Sequence, residues 1–238
     1  MNFKSILSTV ILVLKKHTAI DLSKKIDVNN SIPYIEALTY PVIGLLMGFI
    51  LFLISFLRLL YSPLFVAFIT LCTYFLITKG KNFKPFALTI QQILNSKIFK
   101  NNEDSNIEEN FIHIILIMGY FILFAVSKAS ALLIAPIIAY IVPCTVSLLL
   151  TLNFKNCSMI SAFSQNKAFS YGAFIISFAI PILVHTNFAI SVAIIYVLLM
   201  YFIKYLNIKL ECLPENFEHI LIESILIIFL ILSYLLFL

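Results

Sequence analysis

The sequence predicts an all-α, polytopic membrane bundle of about seven transmembrane helices, with its N-terminus in the cytoplasm. Three observations carry this. Hydrophobic residues make up 62% of the 238-residue chain, more than a soluble core of this size needs. Seven long apolar runs divide it, at 38–57, 63–78, 111–127, 129–152, 169–185, 187–203 and 219–238. The segments 1–37, 79–110, 153–168 and 204–218 hold 14 of the 16 Lys and Arg, while the alternate connections hold only Arg58 and Lys128. Cations near span ends stay on the cytoplasmic side. The long loops are therefore expected in the cytoplasm, with the C-terminal Tyr234 to Leu238 on the opposite face. The whole chain, 1–238, reads as one integral membrane domain.

Ile6 to Leu14 is apolar, follows Lys4 and precedes Lys15 and Lys16. This imitates a signal peptide, but no small-x-small cleavage site follows. A helix lying in the membrane interface, with its lysines snorkelling, is the expectation. Residues 21–33 are polar and read as a loop leading to the first span. Gly44 and Gly48 are four apart in that span, a spacing that lets a second helix approach closely.

The segment 79–110 is the longest polar stretch, running from Lys79-Gly80-Lys81-Asn82 to an acidic end at Glu103, Asp104, Glu108 and Glu109. Within it, Phe86, Ile90, Ile93 and Leu94 fall on one helical face, with Pro85 in the first turn. An amphipathic helix on the cytoplasmic surface fits. The fourth run contains Pro136 and Pro143, each of which removes a backbone donor. A kink used for packing and a cavity beside this span both fit. Several runs lie near the ~17-residue lower limit for crossing hydrocarbon, so tilt and interfacial anchors must complete them.

Composition also sets aside several function classes. The formal charge of +5 follows from topology, and its natural partner is an anionic lipid headgroup; nucleic acid is not expected. Cys72, Cys144, Cys157 and Cys212 have no metal-ligand spacing, and His17, His113, His185 and His219 are scattered. No phosphate-binding glycine loop or nucleophile elbow is present. Glu223 lies four residues into the last run, after His219. A carboxylate there either faces protein or water inside the bundle, or sits hydrated near the interface.

The order of segments resembles the cobalamin synthase family, the adenosylcobinamide-GDP ribazoletransferases. Thr39-Tyr40-Pro41-Val42-Ile43-Gly44-Leu45-Leu46-Met47-Gly48 is similar to that family's opening span. Ile77-Thr78-Lys79-Gly80 leads into the loop where the family carries an acidic signature, and Asp104-Ser105 falls where it has Asp-Ser-Arg. Glu223 falls near a late Glu. The resemblance implies a bacterial inner-membrane enzyme that joins adenosylcobinamide-GDP to α-ribazole with Mg²⁺. It offers Asp104, Ser105 and Glu223 as candidate catalytic residues, and Asp104 and Glu108 as candidate metal ligands.

The acidic signature itself is replaced. Its three Asp positions are Lys84, Leu88 and Gln91 here, and the Arg after Asp104-Ser105 is Asn106. Mg²⁺ on a diphosphate requires hard oxygen ligands, which lysine, leucine and glutamine side chains do not supply as carboxylates do. Two further readings stand beside the transferase. One is a catalytically inactive homologue that keeps the fold for binding or scaffolding. The other is a small transporter working through the proline-containing fourth span.

Overall fold

The computed structural model describes residues 3–19, 32–94, 109–148, 167–209 and 217–237. Among these residues all regular structure is helical, so the predicted all-α class holds. The helices are α1 (Phe3–His17), α2 (Pro33–Ser55), α3 (Pro63–Thr78), α4 (Phe83–Leu94), α5 (Glu109–Val126), α6 (Ala129–Thr145), α7 (Lys167–Val184), α8 (Thr186–Lys209) and α9 (Phe217–Leu235). Short 3₁₀ turns follow α2 at Phe56–Leu59 and α6 at Val146–Leu148.

The seven apolar runs become seven apolar helices, α2, α3 and α5 to α9. Five of them are long and apolar enough to cross a membrane unaided. α3 has 16 residues, about 24 Å at 1.5 Å rise per residue, so its crossing depends on the interfacial adjustments expected above. α3 starts at Pro63, with the Ser62 hydroxyl accepting from the Phe65 amide, and stops at Lys79 in the left-handed conformation. Helix α4 then departs at 99° to α3. This is the expected amphipathic helix: Phe83, Phe86 and Ala87 are buried while Lys84 is exposed. In the fourth run the α-helix ends at Thr145, two residues after Pro143, and continues as the 3₁₀ turn to Leu148; residues 149–152 of the run lie outside the described residues.

Helix α6 is the axis of the bundle. From Ala131 to Val146 it is buried almost throughout, because α2, α7 and α9 all pack against it. Its small and β-branched surface permits this enclosure, and α2 makes the most extensive of these contacts. Gly44 and Gly48 face α6: a β-carbon on Gly44 would lie 2.8 Å from the Pro136 carbonyl oxygen, and one on Gly48 would overlap the Leu133 carbonyl.

The two ends of the bundle differ. At one end, Arg58 donates to the Phe124 and Ser127 carbonyls, closing the C-terminus of α5 with a cation. Nearby, Lys128 Nζ sits 4.2 Å from the Phe237 ring centre, and Asn187 Nδ2 donates to the Leu236 carbonyl at 2.8 Å. The α2–α3, α5–α6 and α7–α8 connections thus gather with the chain's C-terminal residues. The other end carries Lys15, Lys16, Lys79, Lys81 and Lys84, so the cation alternation in the sequence maps onto two opposite ends of one bundle.

Candidate functional site

Five segments bring polar side chains together at the lysine-rich end. The C-terminus of α1 contributes Lys16 and His17. The α3–α4 turn contributes Lys81 and Asn82, α6 contributes Tyr140, α2 contributes Glu36 and Tyr40, and α9 contributes Glu218, His219 and Glu223. The turn depends on two consecutive left-handed residues, Lys79 at φ 51° and Gly80 at φ 65°. Glycine adopts that conformation without a β-carbon clash, and the bend aims Asn82 inward.

Asn82 is the hub and is fully buried. Its Oδ1 accepts from His219 Nδ1 at 2.6 Å and faces His17 Nδ1 at 3.4 Å, while its Nδ2 donates to the Tyr140 hydroxyl at 3.1 Å. With Oδ1 as acceptor, both imidazoles carry their proton on Nδ1. The His17 ring lies 4.9 Å from the His219 ring and packs edge-on against Tyr40 and Tyr140 at 5.2 and 5.5 Å. Burial pushes the His17 imidazole well below its ordinary range, and the His219 ring and the Lys16 ammonium act in the same direction. His17 is therefore held neutral, with its buried Nε2 lacking a hydrogen-bond partner.

The rim is ionic. Lys16 Nζ pairs with the carboxylate of Glu218, whose side chain is 0% exposed, in the first turn of α9. That placement also favours the anion at the helix N-terminus. Lys81 Nζ donates to the Lys15 and Thr18 carbonyls, the latter at 2.8 Å, and so closes the end of α1. The Ala19 amide donates to the Ile77 carbonyl at 2.5 Å. Helix α1 is pinned by its last turn into the bundle.

Glu223 lies deeper, one helical turn beyond His219. It is 0% exposed, so the hydrated interfacial placement is not what the fold gives it. Tyr74 donates to its Oε1 at 2.6 Å and Tyr120 donates to its Oε2. The two tyrosine rings stack at 5.7 Å. Helices α3 and α5 each supply one hydroxyl, which meets the requirement that a buried carboxyl be hydrogen-bonded.

Of the sequence candidates, Asp104, Ser105 and Glu108 lie outside the described residues, and Glu223 lies within the bundle. The α3–α4 region and the start of α9 do meet, through Asn82 and His219. Sequence reasoning passed over His17, Asn82, Tyr140 and the two tyrosines on Glu223, because their spacing along the chain carries no common period. The His219–Glu223 spacing of one helical turn was the one signal available.

The arrangement can hold and exchange protons through two imidazoles and a carboxyl. Among the described residues it offers no set of free oxygen ligands for Mg²⁺. The carboxylates of Glu36, Glu218 and Glu223 are engaged by Tyr40, by Lys16, and by Tyr74 with Tyr120. Among the described residues no group of three His, Cys, Asp or Glu is placed to hold a metal ion. No known protein family, curated protein or solved structure matches this chain.

Proposed function

We infer that this chain is a multi-pass bacterial inner-membrane protein on the cobalamin-synthase plan, one that keeps the bundle for binding or scaffolding and no longer performs the Mg²⁺-dependent transfer. The lysine-rich end faces the cytoplasm, as the cation distribution requires. One observation supports the loss of transfer above the others. At the end where adenosylcobinamide-GDP and α-ribazole would meet, Glu36, Glu218 and Glu223 are each committed to a partner within the protein. Lys84, Leu88 and Gln91 stand on α4 in place of metal-binding acids, and Lys84 is exposed on its outer face.

A ribazoletransferase on this scaffold needs free oxygen ligands to neutralise the diphosphate charge as it develops. Here this end carries a buried network of imidazole, amide and phenol groups. Such a network gives a rigid, specific packing of α1, α4, α6 and α9, which suits a protein whose surface does the work. The test is a transferase assay on folded protein in lipid, with adenosylcobinamide-GDP, α-ribazole and millimolar Mg²⁺. The expected result is no product. Mg²⁺-dependent turnover would overturn the inactive reading and restore the enzyme, with Asp104, Ser105, Glu108 and Glu223 the residues to substitute next.

A further inference from the structure

We propose that the groove between α6, α7 and α8 is a binding site for one chain of an anionic phospholipid, whose phosphate is held by Lys167 and Lys204. The hollow measures about 520 Å³, within the ~300–1,000 Å³ range of small-molecule sites. Its wall is aromatic, built from Tyr171, Phe174 and Phe178 of α7, with Tyr196 and Met200 of α8 opposite and Thr145 of α6 at its base. The one polar pair at depth is already satisfied, since the Ser177 and Tyr196 hydroxyls are 2.9 Å apart. The Thr145 hydroxyl at the base also donates, to the Val142 carbonyl at 2.8 Å, so an alkyl chain meets paired hydroxyls at depth, and the flexible Met200 side chain adapts to its contour.

The lysines stand at the rim by construction. Only His185 separates α7 from α8, so the start of α7 and the later part of α8 lie at the same end of the bundle. Lys167 precedes Tyr171 by four residues and Lys204 follows Met200 by four, so each lysine lies one turn beyond a groove residue on the same helix face. Both are exposed, and Lys204 lines an adjoining hollow that also includes Met200.

Charge complementarity selects the occupant. In a bilayer, moving an alkyl chain from lipid into an apolar groove removes no water, so the chain alone gives little preference. Two ammonium groups at headgroup depth supply it, and each near-surface lysine contributes about fivefold in affinity for an anionic lipid. The inference rests on the membrane placement of the bundle and is independent of whether transfer activity survives.

The chain contains no Trp, so Phe174→Trp gives a single fluorescent reporter in the groove. The full-length variant is placed in nanodiscs of zwitterionic lipid, and phosphatidylglycerol or phosphatidylcholine with brominated acyl chains is titrated in. The expected result is half-maximal quenching at a several-fold lower mole fraction of the brominated phosphatidylglycerol, lost in the Lys167→Gln, Lys204→Gln double variant. A Leu53→Trp reporter on the lipid-facing side of α2 is expected to show no headgroup preference. Phe178→Trp repeats the measurement on the same wall if Phe174→Trp fails to fold. Equal quenching by both lipids at the groove would overturn the proposal. So would a preference that survives removal of both lysines, or an absence of quenching because another part of the chain covers the groove.

Discussion

Adding one methyl group at Gly48 tests the α2–α6 contact most directly. A β-carbon there would overlap the Leu133 carbonyl, a backbone atom that cannot rotate away. Relief requires α2 to move off α6 along their longest shared face, undoing contacts by buried neighbours such as Met47 and Leu51. Overpacking of this kind costs roughly 1–3 kcal/mol, and because the obstacle is backbone the upper part of that range applies. At Gly44 the approach is less severe, with 2.8 Å to the Pro136 oxygen and 3.1 Å to the Ile137 Cα, so about 1–2 kcal/mol is expected. Gly119 and Gly172 provide the internal control, since a β-carbon at either meets nothing within 4 Å. Alanine there is expected to stabilise by about 0.5–1 kcal/mol through helix propensity alone. The assay is unfolding of the four single alanine variants in one detergent, monitored by circular dichroism and by retention on size exclusion. The predicted order of stability is Gly119→Ala and Gly172→Ala above the unsubstituted protein, then Gly44→Ala, then Gly48→Ala. If Gly48→Ala matches Gly119→Ala, the close approach of α2 to α6 is refuted.

Two further outcomes follow from the polar end. Lys16→Met removes the ion pair to the fully buried Glu218 carboxylate and is expected to cost about 3 kcal/mol, with most of that recovered in the Lys16→Met, Glu218→Leu double variant. A double variant no more stable than Lys16→Met would show that the pair is not coupled. Because His17 binds its proton less readily in the folded protein than in the unfolded chain, the unfolded state takes up more protons as pH falls below about 6.5. Stability is therefore expected to drop by about 1.4 kcal/mol per pH unit below that point from this group, and His17→Asn is expected to flatten its share of the slope. An unchanged slope in His17→Asn, measured by denaturant titration between pH 7 and 5, would contradict the neutral burial of this ring.

Much of the architecture was legible in the chain because it depends on local patterns. Apolar length, the helical period over Phe86 and Ile90, and cation alternation are properties of neighbouring residues and of membrane sidedness. They placed the apolar helices, α4 and the two ends of the bundle. The Gly44–Gly48 spacing announced a close contact, though it named no partner. Which helix lies against those glycines is a matter of three-dimensional order, and α6 takes that place because its buried face lets backbone approach backbone.

The polar site was decided by tertiary structure. Asn82 meets His219 across 137 positions of sequence, and Tyr74 and Tyr120 reach Glu223 across 149 and 103. No pattern along a chain encodes such separations. They arise because the chain bends through 99° at Lys79 and Gly80, swinging α4 across the lysine-rich end, while the end of α1 inserts His17. Sequence by itself determined that carboxylates and imidazoles would be scarce in this protein and costly to bury. The packing of α3, α5 and α9 determined that Glu223 is buried with two phenol donors, because a carboxyl removed from water persists only where the fold brings hydrogen-bond donors to both of its oxygens.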